Sequence, residues 1–119
     1  MEHLTHTSTA VVSEALTAAA MGSGDMSVFA TPALVALMEN AAMLCVRPLL
    51  KEGETTVGGQ IDVKHLAPSR IGASVAATAT LTAHEGRKLT FDITATEDDK
   101  TIGTASHTRF IVNREKFLA

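Results

Sequence analysis

Three residues of this 119-residue chain pair a reactive side chain with a position that could use it: Glu39, His65 and Thr31. Glu39 lies at the edge of an apolar helical stripe, beside Val35, Met43 and Val46 in projection. A carboxylate partly withdrawn from water suits a base or nucleophile; alternatively, Glu39 simply bounds the stripe and reaches water. His65 is in phase with the inward residues of its strand, just ahead of Pro68. Imidazole is the natural acid or base near neutral pH, although a buried histidine can equally be held by a backbone carbonyl. Thr31 precedes Pro32 at a helix start, where its hydroxyl has a capping task beside N–H groups that favour negative charge. Gly58-Gly59 falls mid-strand, where glycine weakens the strand and marks either a bulge or a close ligand approach.

Other polar residues carry weaker signals. His3 and His6 lack further metal ligands nearby, and no zinc-ligand spacing appears, so no metal is expected. His84 belongs to a turn. His107 and Arg109 share one face of the last strand, as an interface or as a polar pair. Cys45 sits on the apolar stripe as a core residue. Neither a phosphate loop nor a Gly-x-Ser-x-Gly elbow is present.

The elements that must position these groups follow from periodicity. Leu4 to Val12 is Thr- and Val-rich and reads as a strand. Glu14 to Met21 is a short helix or an irregular segment, and Met21 to Asp25 is the most flexible stretch before the main helix. Thr31 at the N-cap and Pro32 at the first helical position open that helix. At about 100° per residue, Leu34, Val35, Met38, Ala41, Ala42 and Cys45 form one stripe, with Asn40 and Arg47 opposite. Pro48 and Gly53 end it between Arg47 and Lys51.

Four strands follow. In Thr55 to Ala67, Val57, Ile61, Val63 and His65 share one face, and Thr56, Gln60, Asp62 and Lys64 the other. Ala73 to Ala83 turns Val75, Ala77, Ala79 and Leu81 inward. A hairpin turn at His84-Glu85-Gly86-Arg87 leads to Lys88 to Glu97, with Leu89, Phe91, Ile93 and Ala95 inward. After a tight turn at Asp98-Asp99-Lys100, Thr101 to Val112 is the last strand. Short turns imply antiparallel neighbours, and the one long apolar helix must cover the buried face, giving an α+β fold.

Composition sets the outer bounds. The length fits one domain, residues 1–119. Apolar residues make up 45% and charged residues 19%, enough for a core, but with four Phe and no Trp or Tyr the core is filled by small side chains. Modest burial per chain makes a subunit interface a natural supplement. The net charge is −3 and no basic stripe is visible, which argues against nucleic acid. The apolar run from Ala30 to Leu50 is interrupted by Thr31, Glu39, Asn40 and Arg47, so it is read as a core helix and not a membrane span. The N-terminus lacks a cationic start followed by an apolar run, and the lone thiol forms no intrachain disulfide. The expectation is a soluble cytoplasmic protein.

From Val28 to Phe117 the chain resembles the hotdog thioesterases, in the branch typified by fluoroacetyl-CoA thioesterase. The resemblance rests on Val28-Phe29-Ala30-Thr31, Leu37-Met38-Glu39, Val63-x-His65, Gly103-x-x-x-His107-x-Arg109 and Glu115-Lys116-Phe117. It implies a hotdog fold, one long central helix wrapped by a five-stranded antiparallel sheet. It further implies a homodimer with sites at the subunit interface and hydrolysis of an acyl-CoA without a cofactor. The family's catalytic threonine, helix glutamate and strand histidine fall on Thr31, Glu39 and His65, and its strand glycine on Gly58. Glu39 would attack the thioester or activate water, His65 would shuttle the proton, and Thr31 would position one of them. Gly58, Gly59 or the helix start would hold the oxyanion. The family's fluoroacetyl-specific member has lid phenylalanines ahead of the threonine; here Gly22 to Ser27 offers Gly, Ser, Asp and Met. A broader or different acyl group is therefore expected. Arg47, Lys64, Arg70 and Arg87 are available to the phosphates of coenzyme A. Two rivals are an enoyl-thioester hydratase, disfavoured because the helix carries a glutamate and the strand the histidine, and a non-catalytic acyl-CoA-binding module.

Overall fold

A computed structural model describes residues 4–119; His3 lies outside the described residues. Strands β1 (Thr5–Val11), β2 (Glu54–His65), β3 (Ser74–Glu85), β4 (Lys88–Glu97) and β5 (Lys100–Asn113) form one antiparallel sheet in the order β1-β3-β4-β5-β2. Helix α1 (Ala18–Met21) is a single turn, α2 (Thr31–Cys45) is the long one, and α3 (Arg114–Phe117) closes the chain. The hairpin turns fall where glycine and aspartate were expected: Gly86 has φ +62° and Asp98 φ +53°. Both residue types tolerate the left-handed region that such turns require.

The inward residues of β3 and β4 are those the alternation predicts. Val75, Ala77, Ala79 and Leu81, then Leu89, Phe91, Ile93 and Ala95, are all buried against Leu34, Met38, Ala41 and Ala42 of α2. α2 leans chiefly on β3 and β1 and covers β2 and β5 only thinly. The stretch 31–49 is apolar and long enough to cross a membrane by composition alone; here its buried stripe packs on the sheet. β2 is an edge strand, and Ile61 and Val63 on it are only half-buried.

Three local expectations are corrected. Ala30, not Thr31, is the N-cap of α2, with φ −72° and ψ 140°; Thr31 is already helical and its hydroxyl faces His65. Pro32 follows as the second helical residue, still within the first turn where its missing N–H costs nothing. The helix ends at Cys45, sooner than expected, because Pro48 has no N–H to continue the α-helical ladder and the chain tightens into a 3-10 turn over Arg47–Leu49. On β2 the pairing slips between Gly58 and Gln60. That bulge flips the faces, so the buried residue before it is Thr56 and Val57 points the other way.

The segment before α2 is pinned by backbone bonds. Ala18 N–H donates to the Val28 carbonyl and Ala19 N–H to that of Met26, while Phe29 N–H donates to Ser69. Thr17 caps α1 by accepting from the Ala20 N–H at 3.2 Å, and Gly22 at φ +79° ends it. Phe29 is thereby buried beside the start of α2.

Candidate active site

The first polar pair is Thr31 with His65. Freed from capping, the Thr31 Oγ1 lies 2.8 Å from His65 Nδ1. The two residues sit 34 positions apart and meet because α2 begins over the end of β2. Phe29 stands edge-on to the imidazole, with ring centroids 6.5 Å apart. Burial pushes the His65 pKa below its ordinary value, with the Ala67 backbone opposing in part. Its Nε2 is enclosed and has no hydrogen-bond partner among the described residues. Both residues border a cleft of about 270 Å³ walled by Phe29, Leu66 and Pro68.

The second cluster surrounds Glu39. Its Oε2 lies 3.7 Å from Nη1 of Arg109, whose side chain is 7% exposed against 39% for the glutamate. The carboxylate is thus open to solvent while its cation is not. Arg109 is fixed from behind: Nε donates to Thr56 Oγ1 at 2.8 Å and Nη2 to the Thr56 carbonyl at 3.0 Å. Nη1 also lies 3.2 Å from Nε2 of His107, and His107 Nδ1 lies 2.7 Å from the Gln60 carbonyl. A carbonyl only accepts, so Nδ1 carries the proton and Nε2 accepts from Arg109. Burial, the Gln60 carbonyl, the Arg109 charge and Glu39 act on this imidazole in that order, and the net effect lowers its pKa. His107 is therefore a neutral acceptor.

Gly58 is the floor of this cluster. A Cβ there would stand 2.7 Å from Glu39 Oε2, 3.4 Å from His107 Cε1 and 3.5 Å from Arg109 Nη1. Only glycine lets the carboxylate lie against the strand backbone. Gly59 is different: a Cβ on it would meet the Phe110 ring at 2.5 Å, on the outer face of the sheet.

Within one chain the two groups stay apart. Thr31 and Glu39 are separated by eight residues of helix, about 12 Å along the axis. Gly58 and His65 are seven residues apart on β2, roughly 20 Å. Thr31 thus meets His65, and Glu39 meets Gly58, His107 and Arg109. Thr56 and the Arg109–Glu39 pair are what sequence reasoning missed. The available signal was parity, since His107 and Arg109 share the inward phase of Ile111, and buried polar groups on an apolar face need partners.

A family model described as fluoroacetyl-CoA-specific thioesterase matches residues 12–115. The chain belongs to that family. A fluoroacetyl-CoA thioesterase from Streptantibioticus cattleyicolor is 39% identical over 92 residues, 77% of this chain; the chain spans 66% of that relative's length. A solved mutant of the fluoroacetyl-CoA-specific thioesterase FlK, in complex with fluoroacetate and CoA, superposes with a TM-score of 0.87 at 34% identity, covering 98% of this chain and 96% of the other. A Thermus thermophilus thioesterase superfamily member superposes with a TM-score of 0.89 at 26% identity, covering 98% and 86%. The hotdog fold expected from the resemblance is the fold of this family member.

Proposed function

We propose that this chain hydrolyses an acyl-CoA thioester to the free acid and coenzyme A, with Glu39, His65 and Thr31 as its catalytic group. The observation that carries this reading is the seat of Glu39: a solvent-reachable carboxylate held against the bare backbone of Gly58 by a buried arginine. Glu39 takes a proton from water as the water oxygen bonds to the thioester carbon, or attacks that carbon itself to form an anhydride that water then opens. The C–S bond breaks, and His65, oriented by Thr31, relays the proton released by water to the leaving sulfur, ending in the protonation state in which it began. The N–H of Gly58 or Gly59 is suited to hold the developing oxyanion.

The separation of the two groups supports a homodimer with composite sites. Antiparallel pairing of β2 with its own copy reverses the strand, bringing the Gly58 end of one chain beside the His65 end of the other. The edge position of β2 and its thin cover by α2 favour that pairing. For the acyl group, the exposed Met26, in the phenylalanine-free segment Gly22 to Ser27, stands beside an open cleft of about 890 Å³ between Val28, Pro68 and Ile71. This favours acyl chains larger than fluoroacetyl, with Arg70 and Lys100 at the rim suited to the phosphates of coenzyme A. The lone buried thiol of Cys45 suits a reducing cytoplasm.

Thiol release from short, medium, aromatic and halogenated acyl-CoAs tests the reading, with a substrate-free control for Cys45. Turnover of at least one substrate, lost in Glu39→Gln and in His65→Ala, is expected. Binding of acyl-CoA without turnover by wild type and Glu39→Gln alike would leave a binding module.

A further inference from the structure

We infer that His107 is a positioning residue for Glu39, acting through Arg109. The inference rests on the thioesterase reading for its kinetic consequence and on geometry alone for its mechanism. Arg109 offers five N–H donors. Thr56 takes the Nε and Nη2 sides of the guanidinium, which fixes its plane. Nη1 is left to face both His107 Nε2 at 3.2 Å and Glu39 Oε2 at 3.7 Å.

His107 has the one protonation state that fits. The Gln60 carbonyl at 2.7 Å holds the proton on Nδ1, so Nε2 presents a lone pair to the arginine. The ring is 2% exposed and stacks tilted on Phe91 with centroids 5.9 Å apart, so it cannot swing away. The chain of contacts runs from the bulge at Gly59–Gln60 through His107 to Arg109 and then to the carboxylate. The bulge thus aims the Gln60 carbonyl at the histidine while its neighbour Gly58 makes room for Glu39. His107 itself would touch no substrate; its task is to add a third anchor, at Nη1, beside the two that Thr56 makes at Nε and Nη2, so that the guanidinium holds Nη1 toward Glu39.

Two conservative variants separate this role from packing. The Gln side chain of His107→Gln reaches the place of Nε2 and can accept from Arg109, but does not donate to Gln60 from Nδ1. The Asn of His107→Asn reaches the place of Nδ1 and keeps the Gln60 bond, but leaves Arg109 without its acceptor. With the best acyl-CoA substrate, His107→Asn is expected to lower kcat on the order of tenfold or more with KM little changed, while His107→Gln retains most of kcat. In 15N NMR, the Arg109 Nη signals should stay resolved in wild type and His107→Gln and should merge in His107→Asn. Thermal unfolding of both variants checks that each folds. Equal kcat in the two variants, or Arg109 signals that respond alike in both, overturns the inference. If wild type turns over nothing while the NMR pattern holds, the thioesterase reading fails and the positioning of Glu39 by His107 stands.

Discussion

At the scale of single residues, the two adjacent glycines do different work, and substitution separates them. Gly58 borders a carboxylate; Gly59 borders an aromatic ring on the far face. Gly58→Ala puts a methyl group 2.7 Å from Glu39 Oε2, so the flexible carboxylate yields and the strand survives. The expected result is a folded protein whose kcat falls about a hundredfold, since displacing a reacting group by an ångström costs on that order. Gly59→Ala pushes on Phe110, which is 38% exposed and free to swing outward. Its expected result is near-normal kcat, checked in the same thiol-release assay. Equal loss in both variants would mean that the bulge, and not the carboxylate, is what residue 58 protects. The sequence showed Glu39 at the edge of an apolar stripe, His65 on an inward strand phase, Gly58 mid-strand and Thr31 at a helix start as candidates. It left Arg109 as half of a generic polar pair, because an ion pair between residues 39 and 109 depends on how α2 crosses the sheet and not on spacing.

At the scale of elements, β3 and β4 were legible residue by residue, since strict alternation sets which face is buried. β2 was not. Its alternation reads smoothly from Val57 to His65, and only the register slip at Gly59 reveals that Thr56 is the inward residue and Val57 is not. The start of α2 misled for a related reason: Thr before Pro looks like a cap, yet Ala30 takes that place and the threonine hydroxyl turns to His65 instead. β2 carries the half-buried His65 and β5 the buried His107, and burial lowers the pKa of each in the folded state. The unfolded chain therefore binds more protons just below the ordinary histidine value of about 6.5. This part of the stability is fully present above that value and is lost as pH falls through the lower folded values. Urea midpoints should drop between pH 7.5 and pH 5.5, and His107→Gln should show a shallower drop than wild type. Midpoints that rise toward acid pH would reverse the sign and show that these rings are charged in the fold.

At the scale of the whole molecule, the placement of Glu39 far from Thr31 and His65 in one chain has a consequence that subunit mixing can read. Glu39→Gln and His65→Ala homodimers are each expected to be inactive. In a mixed dimer with composite sites, one site inherits both lesions and the other inherits neither, because intact Glu39 comes from one chain and intact His65 from its partner. Random exchange makes half of the dimers mixed, so activity should recover to about a quarter of wild type, a value set by two-fold symmetry. Sites confined to single chains would recover nothing, since every chain in the mixture carries one lesion. The measurement also reports on assembly: recovery requires that subunits exchange, so it should appear after partial denaturation and refolding together and be absent when the variants are refolded separately and mixed cold. Replacing Val63 by Arg on the half-buried inner face of the β2 edge should then abolish both dimerisation and turnover while leaving the sheet folded, because Val63 lies where α2 gives little cover. An active Val63→Arg monomer, seen by light scattering with turnover retained, would require Glu39 and His65 to meet within one chain, although Glu39 is seated against Gly58, roughly 20 Å along β2 from His65.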